Sequence, residues 1–219
     1  MNHYKEKSNQ YFSNARTDIE SLLPEVCGTV LEIGCGAGGT LRWLKQTGRS
    51  AHTCGIELMP QAAAQAREHV DELLEGDADE VVRKMIYEGR QFNLILCLDV
   101  LEHLVDPWGM MLMLQKLLAP TGIVIASIPN VRNIDAVLPL VFRGRWAYTE
   151  EGILDKTHIR FFTRESALSL MSTGRLEVFR CIPRMPHPQS KRAVLNKITL
   201  GRLSDFLAVQ YVIASHVQT

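Results

Sequence analysis

The chain has 219 residues, 46% of them hydrophobic and 22% charged, with 24 basic and 24 acidic side chains that cancel to a formal net charge of zero. These proportions exclude a disordered or fibrous chain, and the balanced charge removes the global positive field that a nucleic-acid partner would need. No apolar run approaches the roughly 18 residues that cross a bilayer, and the opening stretch MNHYKEKSNQYFSNAR has no apolar signal core, so a cytoplasmic protein is expected.

In chain order, residues 1–24 are expected to form an N-terminal helical cap. Short runs rich in Val, Ile and Leu follow: GTVLEIG, AHTCGIEL, DELLEGD, FNLILCL and TGIVIASIP. They are apolar on both parities, the pattern of strands buried on both faces. Between them, Pro60 opens PQAAAQAREHV, and Asp106 with Pro107 opens DPWGMMLMLQKLLAP, placing proline in a first helical turn behind a capping aspartate. The repeating unit is therefore βαβ, and the fold class is α/β with a mainly parallel sheet. Met110, Met111 and Met113 have helical spacing among leucines and read as core packing. Five cysteines, Cys27, Cys35, Cys54, Cys97 and Cys181, are dispersed without a C-x-x-C pair, so neither disulfides nor zinc are expected.

After Pro129 the rhythm breaks. Residues 130–162 are aromatic and charged by turns and offer no long strand; they are expected as an inserted lid over the carboxyl edge of the sheet. Thr163 is placed to cap TRESALSLM, and RLEVFRCIP and FLAVQYVIASHV read as two further strands. A basic connection, residues 184–205, joins them. From 178 to 204 the chain carries Arg180, Arg184, Lys191, Arg192, Lys197 and Arg202 and no Asp or Glu, which suits a solvated loop, an anionic ligand or a membrane surface. No linker or repeat divides the chain, so residues 1–219 are expected as one domain. Nothing in the pattern chooses an oligomeric state.

Gly34, Gly36 and Gly39 satisfy G-x-G-x-x-G between the first strand and a helix, and Glu57 closes the next strand, where a carboxylate would accept from ribose hydroxyls. This spacing serves NAD and adenosylmethionine alike. Glu32, two residues before the first glycine, favours a cationic ligand over a pyrophosphate. Asp77 in EGDADE, and Asp99, Glu102 and His103 in LCLDVLEHL, fall at later strand ends on the edge where ligands of such sheets bind. Each acid also has a structural reading: Glu32 as a bridge, Glu57 as a charge at a helix N-terminus, Asp77 and Asp99 as caps.

The ordered set VLEIGCGAGG, GIEL, GDADE, FNLILCLDVLEHLVDP and LLAPTGIVIASIPN, over roughly residues 25–130, resembles the class I S-adenosylmethionine-dependent methyltransferases. The resemblance implies a doubly wound, Rossmann-like sheet of seven strands, mainly parallel with the last antiparallel. It also implies S-adenosyl-L-methionine as cofactor and S-adenosyl-L-homocysteine as product. It would put Gly34, Gly36 and Gly38 under the methionine and ribose, and Glu32 at the methionine end. Glu57 and Leu58 would lie at the ribose, Asp77 and Ala78 at the adenine, and Leu98 and Asp99 along the methionine.

Methyl transfer from a sulfonium is an in-line displacement, so collinear positioning supplies much of the rate, and a hydroxyl acceptor gains further from a base. Of seven histidines, His158 in GILDKTHIRFFT is the candidate base, with Asp155 as a carboxylate that could orient it; the alternative is a structural contact within the lid. His52, His69 and His216 fall in helix or strand patterns and read as structural, His3 is near a terminus, and His187 lies between prolines. Asp99, Glu102 and His103 with His158 resemble the metal set of some metal-dependent methyltransferases, but no metal is expected. The segment IPNVRN to GRWAYTEEGILDKTHIRFFT resembles a bacterial subgroup associated with glycan or lipopolysaccharide assembly. That resemblance implies a glycan or nucleotide-sugar acceptor, anionic enough to use Arg143 and Arg145, with Trp146, Tyr148, Phe161 and Phe162 stacking on a sugar. A phenolic quinone precursor is the alternative acceptor, and a NAD-dependent oxidoreductase the alternative enzyme. Oxygen against nitrogen as the methylated atom stays open, as does a peripheral membrane contact.

Overall fold

Seven strands form one sheet: β1 (Gly28–Ile33), β2 (Ser50–Glu57), β3 (Glu72–Glu75), β4 (Phe92–Leu98), β5 (Leu118–Pro129), β6 (Leu176–Arg184) and β7 (Gln210–Val217). The computed structural model describes residues 15–186 and 190–218, so residues 1–14 of the expected cap, with His3, and His187 lie outside the described residues. The sheet order is β3-β2-β1-β4-β5-β7-β6. The pairings β1 with β2, β2 with β3, β1 with β4 and β4 with β5 are parallel, while β7 runs antiparallel to both β5 and β6. The last strand is thus reversed, as expected, and slots between its two predecessors.

Eight helices accompany the strands among the described residues: α1 (Gly39–Gln46), α2 (Pro60–Ala66), α3 (Ala78–Tyr87), α4 (Pro107–Leu117), α5 (Ile134–Arg143), α6 (Arg164–Met171), α7 (Lys191–Ile198) and α8 (Ser204–Leu207). The two parities of each central strand explain the layers. Leu31, Ile95, Cys97 and Val124 pack on one face with Met85 of α3, Met110, Met111 and Leu114 of α4, and Leu170 of α6. Val30, Leu94, Leu96 and Ile125 face the other way, onto Leu41 and Leu44 of α1 and Ala66 of α2. Ile19 and Leu22, from a short 3-10 turn at Thr17–Leu22, join this second face; this turn is what the described part of the N-terminal cap contains. Each large aliphatic chain buried this way contributes roughly 1.5–3 kcal/mol.

Helix starts follow local chemistry. Asp77 caps α3 by accepting from the N–H groups of Asp79 and Glu80, and Asp106 caps α4 by accepting from that of Gly109. Thr163 and Ser166 form a capping box at α6.

Two expectations need correction. The basic connection is not a loop: after β6 it folds into α7 and α8. The final strand begins at Gln210, because Phe206 and Leu207 belong to α8. The insert holds a full helix, α5, with Pro139 inside it.

The insert is pinned to the carboxyl edge by buried amides. The Asn130 side chain donates to the carbonyls of Asp205 and Ala208, and that of Asn133 to those of Leu207 and Ala208. Farther along, the Glu102 carbonyl accepts from the N–H groups of both Ile159 and Arg160. That clamp brings His158 over the end of β4.

Candidate active site

Two cavities open at the carboxyl edge and share Asp99 and Arg184 in their walls. The first, about 510 Å³, lies over the ends of β1, β2 and β4. All of the expected donor residues line it except Gly38: Glu32, Gly34, Gly36, Glu57, Leu58, Asp77, Ala78, Leu98 and Asp99. Gly38 instead caps α1 at φ 78°, and a Cβ there would sit 3.1 Å from Val70, so its role is to bring helix and loop together. Gly34, at φ 65°, has no room for a side chain either: a Cβ would fall 2.8 Å from Val100.

Glu32 is 3% exposed, and its Oε2 has no hydrogen-bond partner among the described residues. Burial pushes its carboxyl up to about 8; Thr40 and the Arg16 charge pull the other way, and Glu57 adds repulsion. A buried carboxylate oxygen left unpaired on a cavity wall is the feature a cationic ligand would satisfy. The Glu57 carboxylate accepts from the Gly36 N–H at 2.8 Å and from the Met59 N–H at 2.8 Å, which ties the glycine turn to the end of β2. Burial raises its carboxyl as well, against the lowering effect of those N–H groups. Asp77 both lines the cavity and caps α3, so its two readings hold together.

Asp99 stands at the junction with a left-handed backbone, φ 60°, uncommon for a non-glycine residue. Its carboxylate accepts from the Ser127 hydroxyl at 2.9 Å and is also engaged by Arg16 and the Gln210 amide. Arg16, which sequence reasoning did not single out, also pairs with Asp18 at 2.9 Å. Its contact with Asp99 spans 83 positions, so no local spacing announces it.

The second cavity, about 940 Å³, is walled by the insert, with His158, Glu102, Asp155, Arg143 and Arg145 among its residues. His158 is 8% exposed. Its Nδ1 lies 3.0 Å from the Ile153 carbonyl, which can only accept, so Nδ1 is the donor there and Nε2 is the nitrogen left to other partners. Nε2 is 3.8 Å from Glu102 Oε1. Asp155, the expected orienting carboxylate, accepts from the Thr157 N–H at 2.8 Å and hydroxyl at 2.6 Å, and its carbonyl accepts from the His158 N–H at 3.0 Å, shaping the turn that carries the histidine. His103 holds its own Nδ1 against the Thr157 carbonyl at 3.0 Å and lines the first cavity, its ring 4.8 Å from that of His158. His52, His69 and His216 line neither cavity.

Comparison with known proteins agrees with this geometry. The chain matches the methyltransferase-domain family over residues 7–174. The chain is a methyltransferase of that family. It is 32% identical over 148 residues to a ubiquinone biosynthesis O-methyltransferase of Pseudomonas paraeruginosa, covering 66% of this chain and 62% of that relative. With the protein of that name from Cereibacter sphaeroides it shares 26% identity over 204 residues, covering 90% of this chain and 77% of the other. A crystal structure of a SAM-dependent methyltransferase from Archaeoglobus fulgidus superposes with a TM-score of 0.66 at 15% identity, covering 95% of this chain and 94% of that one, which shows the shared fold.

The methyltransferase is of class I and uses S-adenosylmethionine, released as S-adenosylhomocysteine. The orphaned Glu32 oxygen and the side-chain-free cradle at Gly34 fit that cofactor. One expectation about its acceptor side fails. Trp146, Tyr148, Phe161 and Phe162 line neither cavity; Trp146 and Tyr148 pack around Phe161, and Phe162 is buried against Trp108.

Proposed function

We propose that this methyltransferase methylates a hydroxyl of a small-molecule acceptor held in the larger cavity, with His158 as general base. The position of His158 carries the reading: it lines the acceptor cavity while its ring lies 4.8 Å from His103 on the donor wall. A hydroxyl is a weak nucleophile until its proton is taken, and a placed base adds roughly 10²- to 10⁴-fold. His158 Nε2 would take that proton as the hydroxyl oxygen bonds to the methyl carbon and the carbon–sulfur bond breaks, its electrons remaining on sulfur. Glu102, buried 3.8 Å away, would stabilise the imidazolium that results.

Bound adenosylmethionine supplies the electrophilic methyl. Glu32 would pair with its ammonium and Arg16 with its carboxylate. Glu57 would accept from the ribose hydroxyls, and Asp77 and Ala78 would meet the adenine edge.

For the acceptor, a phenolic hydroxyl of the quinone-precursor type is favoured by the names of the relatives and by a cavity without the aromatic platform a sugar would stack on. A glycan or nucleotide-sugar acceptor keeps one support: Arg143 and Arg145 line the cavity and have no acidic partner among the described residues.

Glu102, His103 and His158 also bring one potential metal-ligand atom each within 4.8 Å of one another. A tetrahedral zinc with bonds of about 2.1 Å holds its ligand atoms roughly 3.4 Å apart, so the set would have to contract around zinc. A six-coordinate cation, whose opposite ligands lie up to about 4.8 Å apart, would need no such contraction.

The test is His158→Ala assayed with labelled adenosylmethionine and catechol-type acceptors. Turnover should fall at least about tenfold while cofactor affinity stays within about twofold. Unchanged turnover would remove His158 from the chemistry. Activity lost on dialysis against a chelator and regained with a divalent cation would transfer the role to a metal.

A further inference from the structure

We propose that α5 and α7 form a docking face for an anionic membrane surface, beside the mouth of the acceptor cavity. Both helices leave an apolar stripe outside. On α5, Leu138, Val141 and Phe142 recur at i, i+3, i+4, with Val141 67% and Phe142 78% exposed. On α7, Val194, Leu195 and Ile198 stand at i, i+1, i+4, which one helix face can also hold, with Ile198 72% exposed, and Leu200 follows at 82%. Among the described residues α7 buries none, and α5 only Ala136. An amphipathic helix that leaves so much of its apolar side chain in water is using that face for something other than this core.

The two helices belong to one surface. Arg192, in the first turn of α7, grips Asp135, in the first turn of α5, with two bonds of 2.6 and 2.7 Å. A different side of α5, carrying Asp135, Ala136, Pro139 and Arg143, lines the acceptor cavity, so the helix connects cavity and exposed stripe.

Charge selects the occupant. Lys191, Lys197 and Arg202 are exposed around the α7 stripe and have no acidic partner among the described residues. Apolar side chains interleaved with unpaired cations are the composition of a helix that lies in the interface of an anionic bilayer. A second copy of this chain would bring the same cations face to face.

The experiment is co-sedimentation of the full chain with phosphatidylcholine vesicles, with and without phosphatidylglycerol. The wild type should partition onto the anionic vesicles and be released as salt rises. Phe142→Ser with Ile198→Ser, and separately Lys191→Glu with Lys197→Glu, should each weaken partitioning by roughly tenfold or more. Circular dichroism and calorimetric adenosylmethionine affinity should match the wild type, which separates loss of docking from loss of fold. Neither measurement depends on the acceptor. Failure to bind anionic vesicles, or equal binding by wild type and variants, would overturn the proposal. So would a solution dimer that Phe142→Ser dissociates, which would assign the face to a second copy.

Discussion

Glu32 is where the local chemistry is most exposed to test. In the empty protein its carboxyl is pushed up to about 8, from an ordinary 4.5, because burial disfavours the charge. At pH 7 burial therefore favours the protonated form, and an ammonium placed beside it would expel that proton. Calorimetry of adenosylmethionine binding at pH 7, in buffers of different ionisation enthalpy, should show release approaching one proton, absent in Glu32→Gln, whose affinity should be at least about tenfold weaker. Equal proton counts in the two proteins would refute the pairing. The same shift has a stability consequence with a definite sign. The native state holds this proton over the range from about 4.5 to about 8 while the unfolded chain does not, so the ligand-free protein loses stability as pH rises through that window. Glu32 was legible in sequence because it sits at a fixed offset from the glycine turn. Arg16 and Gln210 were not, because each reaches Asp99 only through the tertiary fold.

Among the elements, strands were easier to read than connections, and the reason is burial. β4 is apolar at every position but Asn93, because helices cover both its faces. α5 and α7 send almost no side chain into the core, so burial does not mark them, and Pro139 argues locally against a helix that tertiary anchoring nonetheless holds. The anchoring is measurable. Asn130 is fully buried, and its side-chain amide satisfies two carbonyls at 2.9 Å each, so Asn130→Ala leaves acceptors unpaired and should cost about 2–3 kcal/mol. Thr163→Ala removes only an exposed helix cap and should cost about 1 kcal/mol. Urea unfolding of the two variants should preserve that order. The reverse would mean that the amide is not what holds the insert to the sheet.

At the scale of the whole molecule, the parallel half of the sheet builds the smaller cavity, proposed for the donor, and the insert, held beside β7, builds the larger one, proposed for the acceptor; Asp99 and Arg184 stand in both walls. The wall of the smaller cavity was readable because its residues sit at strand ends spaced by a regular βαβ rhythm. The larger cavity depends on how an irregular segment folds back, which is why the packing of the aromatics was not legible. Charge provides a test of the acceptor half by itself. Arg143 and Arg145 line its cavity away from the shared wall, and each exposed cation contributes up to about 1 kcal/mol toward an anionic ligand. Arg143→Gln combined with Arg145→Gln should therefore raise KM roughly tenfold for an acceptor carrying a carboxylate or phosphate, and leave a neutral phenol nearly unchanged. The adenosylmethionine constant should not move, because neither arginine borders the donor cavity. A KM that rises equally for charged and neutral acceptors would show that these residues shape the cavity rather than select for charge.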